Sequence, residues 1–193
     1  MKPPRLILAS RSPRRQLLLK QIGLNFVVRP SRIKEALIAR DSPSANVRRI
    51  ALEKARAVAK RSPSGIVVGA DTIVVLGRRV LGKPKGREGA QRMLRMLSGK
   101  SHLVYTGFAL VDGKSAAETS EVVKTRVWFR KLSSREIRDY VASGSPLDKA
   151  GAYGIQDDFG AVFVDRINGC FYNVVGFPIS RFHKILQGFL KKL

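Results

Sequence analysis

The sequence predicts an α/β protein, with a mixed twisted sheet flanked by helices. Three observations carry this expectation. Short apolar, β-rich runs alternate with stretches of helical spacing along the whole chain. Serine–proline pairs open helices twice, at Ser12-Pro13 and Ser42-Pro43. Turn signals join successive strands directly, at Asp112-Gly113 and Asn168-Gly169, which argues against a purely parallel sheet. A length of 193 residues suits a single domain spanning residues 1–193 with a substantial core.

Arg5 to Ala9 reads as a short buried strand. Ser12 then caps a helix whose apolar face is Leu17, Leu18 and Ile22, and Gly23 stops it. Leu24 to Val28 is a second short strand. Val47, Ile50, Ala51, Ala55 and Val58 mark a helix over residues 43–61. Gly65 to Ala70 and Thr72 to Leu76 are β-rich, and Gly77-Arg78-Arg79 turns the chain into Val80-Leu81. Ala90, Met93, Leu94 and Leu97 share a helical face that Gly99 ends. His102 to Val111 and Glu121 to Phe129 are longer strands. Ser133 and Glu136 form a capping box for a helix running through Ala142. Ala161 to Ile167 and Cys170 to Val175 are expected as the two arms of a hairpin around Asn168-Gly169. Ile179, Phe182, Ile185, Leu186 and Phe189 give a last amphipathic helix.

The formal net charge is +23, spread along the chain without a basic tail or a Lys/Arg block. Such a field attracts anions, whether nucleic acid or free nucleotides. A nucleic-acid-binding protein without catalysis would show a basic stripe with interleaved aromatics. No linear motif of that kind occurs, which argues against a nucleic-acid partner. No run of 18 apolar residues exists, so no membrane span is expected. Lys2 and Arg5 precede only four apolar residues, which is not an export signal, and the lone Cys170 has no disulfide partner. The cytoplasm is the expected compartment.

Polar residues break the apolar elements at a few places. Arg14 and Arg15 occupy the first turn of a helix, where the dipole already places about half a positive charge. Backbone N–H groups and two guanidiniums directed at one spot suit a phosphate chain. Asp71 interrupts an apolar β run, and a carboxylate there must be paired, hydrogen-bonded or on a metal. Lys83 sits in the tight Gly82-Lys83-Pro84 loop. Asp148 to Gln156 combines glycines and alanines, small enough for backbone to approach a ligand closely. His102 and His183 lack zinc-type spacing, and nucleophile or Walker motifs are missing. A metal held by carboxylates that activates water against a phosphate is the economical chemistry.

Together these segments resemble the Maf family of nucleotide pyrophosphatases. The resemblance runs from Leu8-Ala9-Ser10-Arg11-Ser12-Pro13-Arg14-Arg15 through Glu53-Lys54-Ala55, Gly69-Ala70-Asp71-Thr72 and Gly82-Lys83-Pro84. It continues at Leu97-Ser98-Gly99, Val104-Tyr105-Thr106-Gly107, Asp148 to Gln156 and Asn173-Val174-Val175-Gly176-Phe177-Pro178. It implies hydrolysis of nucleoside triphosphates to monophosphate and pyrophosphate with a divalent cation, Mg²⁺ or Mn²⁺. It further implies an elongated α/β fold with a central nucleotide-binding cleft, in a homodimer. The form of the loop ending in Gln156 is similar to the branch acting on dTTP and UTP.

The resemblance also implies roles. Asp71 is then the general base and, with Glu35, a metal ligand. Ser10, Arg14 and Arg15 cradle the triphosphate, while Lys54 and Lys83 neutralise it. Arg14, Thr72 and Gln156 match positions tied to substrate choice. Gln156 can offer a donor and an acceptor to a pyrimidine edge. Two segments depart from the family pattern: the one around Glu35 is less acidic, and Asp157-Asp158 follow Gln156 where a glycine is usual.

Overall fold

The computed structural model describes residues 5–156 and 159–193, so Asp157 and Asp158 lie outside the described residues. The strands are β1 (Leu6–Leu8), β2 (Phe26–Val28), β3 (Ile66–Leu76), β4 (Arg79–Leu81), β5 (Ser101–Asp112), β6 (Glu118–Phe129) and β7 (Val164–Asn168). The helices are α1 (Pro13–Gln21), α2 (Pro43–Ala59), α3 (Gly86–Leu97), α4 (Ser134–Ala142), α5 (Phe171–Val175) and α6 (Ile179–Leu190). The sheet is mixed, in the order β2-β1-β3-β5-β6-β7, with β4 paired to β3. β1 is parallel to both β2 and β3, whereas β4 on β3 and β7 on β6 are antiparallel. The expected α/β class and mixed sheet are therefore observed.

The chain forms two compact units. The first comprises residues up to Asp71, Thr106–Val123 and Gly176–Leu193. Its core places Ile7 of β1, Ala9 just beyond that strand and Val67 of β3 against Ala51, Ala55 and Val58 of α2. Two glycines set the spacing. A Cβ on Gly69 of β3 would overlap Ala51 O, and one on Gly107 of β5 would overlap Val47 O. The backbone of α2 therefore lies directly on the sheet, closer than any side chain at those strand positions permits. Phe108, Phe177 and Phe182 are buried against one another in the same unit, with ring centroids 4.8–6.0 Å apart.

The second unit comprises Thr72–Tyr105 and Lys124–Val175. Leu94 and Leu97 of α3, Val104 of β5, Val127 and Phe129 of β6, Tyr140 and Val141 of α4 and Phe163 are buried together. The capping box of α4 forms as expected, with Ser133 and Glu136 bonding each other's backbone N–H groups.

Several sequence expectations change in detail. The two β runs around Asp71 are one continuous strand, β3. On α1 the buried residues are Arg15, Leu18 and Leu19, while Leu17 is exposed. The largest difference is at Cys170 to Val175, expected as a strand. The chain leaves β7 at Asn168 and winds into α5 instead. Thr125 of β6 explains this: its hydroxyl donates to Cys170 O and accepts from Cys170 N. Buried Asn173 then donates to Thr125 Oγ1 and Val104 O, which it reaches from the helix. These bonds override the β-propensity of Val174-Val175.

Candidate active site

In the first unit the sequence brings five polar residues into contact. β1 delivers Ser10 just beyond its end, α1 delivers Arg15, α2 delivers Lys54, β3 delivers Asp71, and the segment before α2 delivers Glu35. Except for Glu35 all are buried. Such burial is costly for charged groups unless they pair, and they do. Lys54 Nζ lies 2.9 Å from Asp71 Oδ1 and 2.8 Å from Glu35 Oε2. It also donates to Ala70 O at 3.2 Å. Arg15 Nη1 donates to the same carbonyl at 3.0 Å and to Ser10 Oγ at 3.1 Å, and its Nε donates to Gly176 O at 3.1 Å. The backbone beside Asp71 is thus gripped by two cations. Lys54 arrives there because α2 sits on Gly69, two residues before Asp71.

The two carboxyls share the Lys54 ammonium. Burial raises the pKa of Asp71 above the ordinary carboxylate value, against the opposing pull of Lys54 and Arg15. For half-exposed Glu35 burial also pushes upward, but the hydrogen bond and charge of buried Lys54 outweigh it, and its pKa is lowered. Asp71 is therefore the more basic of the two, and Glu35 stays ionised against Lys54. Burial lowers the pKa of Arg15, while Asp71 and Glu35 oppose that shift.

Arg14 is half-buried in the first turn of α1. That turn has the expected architecture. Ser12 caps it by accepting from Arg15 N, Pro13 follows at the first helical position, and no acid is present. Arg15 differs from expectation in orientation. Its guanidinium turns into the unit and ties α1 to the backbone at Ala70 and Gly176, in addition to bringing charge to the helix start.

Thr72, Lys83 and Gln156 lie in the second unit. Here Gly151 N donates to Gly82 O at 3.1 Å, so the loop after α4 meets the Gly82-Lys83-Pro84 turn. Gly151 adopts φ 73° and packs on Val74, where a Cβ would come within 3.0 Å of a Val74 methyl carbon. Lys83 is exposed. Both polar atoms of the Gln156 amide are buried and find no hydrogen-bond partner among the described residues. A buried, unsatisfied amide costs about 1–3 kcal/mol, which a ligand edge would relieve.

Two residues of the second unit carry weight that spacing did not reveal. Buried His102 Nε2 and the Tyr153 hydroxyl share a 2.8 Å hydrogen bond, and both rings meet Phe129 edge-on. The pair anchors the loop that ends in Gln156. Tyr140 adds a second anchor, accepting from Gly154 N at 3.4 Å. His102 offered no sequence signal, because its partner lies 51 positions away.

Burial depresses the His102 pKa from 6.5 to about 4. In the unfolded chain the imidazole binds a proton near its ordinary value, so between those limits the unfolded state binds more protons. Stability therefore falls as pH drops through this window. Between pH 7 and pH 4 we expect His102 to account for a loss on the order of 3 kcal/mol. Urea unfolding at both pH values checks this, and His102→Gln should remove most of the difference. An unchanged pH dependence in that variant would assign the effect to other groups.

Which residues could hold a metal follows from the donors. Glu35 and Asp71 place two carboxylates side by side, and Mg²⁺ commonly uses one or two carboxylates together with substrate phosphates and water. No group of three or more Asp, Glu, His or Cys side chains suited to a metal occurs among the described residues. Among those residues, too, no helix is long and apolar enough to cross a membrane.

The model of the family described as Maf-like protein matches residues 5–189. A protein of Moorella thermoacetica named dTTP/UTP pyrophosphatase is 49% identical over 185 residues, covering 96% of this chain and 95% of that relative. A protein of the same name from Symbiobacterium thermophilum is 51% identical, covering 95% of this chain and 93% of its own length. Another, from Methanosarcina barkeri, is 49% identical over 94% of this chain and 92% of its own. The chain belongs to the Maf family.

Proposed function

We propose that the chain hydrolyses dTTP and UTP to the nucleoside monophosphate and pyrophosphate. The observation that carries this reading is Asp71, a buried carboxylate of raised pKa held at 2.9 Å by Lys54 within an apolar strand. Asp71 takes a proton from a water molecule. The water oxygen bonds to the α-phosphorus, the bond from that phosphorus to the bridging oxygen breaks, and pyrophosphate leaves. Lys54 and Arg15 supply fixed positive charge beside Asp71, which favours the added negative charge of the transition state. Arg14, at the positive end of α1, and Lys83 bring further charge to the phosphates. The donor set fits a hard divalent cation: Glu35 and Asp71 would hold it, and when bound it supplies charge neutralisation and polarisation of phosphate oxygens.

The base is read by Gln156, with Thr72 as a further determinant. The amide N–H₂ can donate to O4 of thymine or uracil while its carbonyl accepts from N3–H. Cytosine presents the reverse pattern. A site whose buried polar atoms lack partners discriminates strongly, because the wrong edge leaves them unsatisfied. The agreement with relatives named dTTP/UTP pyrophosphatase at about half identity supports the same choice. On this reading the enzyme works in the cytoplasm as a homodimer.

Assaying the eight common triphosphates with Mg²⁺ and with Mn²⁺ tests the proposal. Pyrophosphate release should be fastest with dTTP and UTP and should stop on chelation. Preference for GTP or its 7-methyl form would overturn the pyrimidine reading and leave the pyrophosphatase reading standing. Release of single phosphate would overturn both.

A further inference from the structure

The net charge of +23 is far more than one triphosphate requires. Several cations elsewhere are matched by acids: Arg56 by Glu118, Arg130 by Glu136, Arg181 by Glu121. On β6 and β7 the balance differs. Lys124, Arg126 and Trp128 alternate along β6 and so leave the sheet on one side. Val127 and Phe129, on the other side, are buried in the core of the second unit. β7 places Arg166 directly opposite Trp128. The Arg166 guanidinium carbon lies 3.9 Å from the centre of the indole, and that of Arg126 lies 5.8 Å from it. Lys124, Arg126 and Arg166 are exposed, and among the described residues none has a carboxylate within ion-pair distance. β7 ends the strand order.

We propose that this strip of Lys124, Arg126, Trp128 and Arg166 binds single-stranded nucleic acid, as a second activity of the chain. The guanidinium of Arg166 lies over the indole, and guanidinium and indole planes are both surfaces on which unpaired bases stack. Among the described residues the flanking cations pair with no acid, and they are left for backbone phosphates. A strip of exposed cations around an indole suits a single strand better than a duplex, whose bases are already stacked on one another. Basic and aromatic residues thus interleave across two strands, which is why no linear motif announces them.

Trp128 is the one tryptophan of the chain, so its emission reports on the strip itself. The test titrates the full-length protein with an oligothymidylate of about a dozen nucleotides, a length in the range single-strand sites occupy. We expect saturable quenching of Trp128 whose affinity falls steeply with added salt. The double variant Arg126→Ala/Arg166→Ala should bind about tenfold or more weakly, with a shallower salt dependence. Trp128→Phe, followed by anisotropy of a labelled oligonucleotide, should also bind more weakly. Both variants should hydrolyse nucleoside triphosphates at the wild-type rate. The proposal is overturned if the oligonucleotide leaves Trp128 emission unchanged, or if the double variant binds as well as wild type. It is equally overturned if a duplex of the same length binds as tightly, since that would mean a diffuse electrostatic field. Displacement by a non-hydrolysable dTTP analogue would place the oligonucleotide at the triphosphate site and overturn it as well.

Discussion

Replacing Asp71 by Asn lowers turnover by about two to four orders of magnitude, the expected loss when a positioned base is removed. The geometry makes this substitution a clean one. Asn keeps the shape of the side chain and removes its charge and proton affinity. Lys54, the direct partner of Asp71, is not stranded by the change, because it still holds Glu35 at 2.8 Å and Ala70 O at 3.2 Å. A buried carboxylate also costs desolvation, which the amide avoids, so the lost ion pair is partly offset. The melting temperature should therefore stay within a few degrees of wild type, and nucleotide affinity should persist. Single-turnover rates with dTTP, beside calorimetric binding of the same nucleotide, measure the two quantities separately. Near wild-type turnover in the folded variant would sink the assignment of Asp71 as base.

Much of this site was legible in the chain itself, and the reasons are physical. An acid inside an apolar strand must have partners, so Asp71 stood out, and the structure supplies Lys54 and Glu35. Helix starts were legible because their signals are local: Ser12-Pro13, Ser42-Pro43 and the Ser133–Glu136 box each act within one turn. What sequence could not carry were partnerships across long separations. His102 with Tyr153 is one. Thr125 with Cys170 and Asn173 is another, and there it reverses the local preference, turning a β-branched run into α5. The orientation of Arg15 belongs to the same class. Position within a helix places a side chain on a face, but only the fold decides whether that face meets solvent or the backbone of another strand.

Arg15 and Arg14 should consequently separate into two phenotypes. Adjacent in the first turn of α1, they share the unfavourable interaction with the helix dipole. Arg14→Ala should weaken triphosphate binding and leave stability unchanged or raised by some tenths of a kcal/mol. Arg15→Ala removes donors to Ser10 Oγ, Ala70 O and Gly176 O, all in a buried setting. Hydrogen bonds from a charged donor contribute about 1.5–3 kcal/mol each, and a network is not additive. Removing the guanidinium also relieves its own burial cost, and Ala70 O retains Lys54 while Ser10 Oγ retains Ser12 N. A net loss of about 2–4 kcal/mol follows, or roughly 5–15 °C in melting temperature for a chain of this size. Arg15→Lys should recover only part of it, since one ammonium cannot hold Ala70 O and Gly176 O from the two sides that a guanidinium spans. Thermal melts of the three variants, each paired with a nucleotide titration, decide the matter. If Arg15→Ala melts with wild type, the guanidinium has no structural role, and its contacts with Ala70 and Gly176 are incidental to a side chain that serves the phosphates alone.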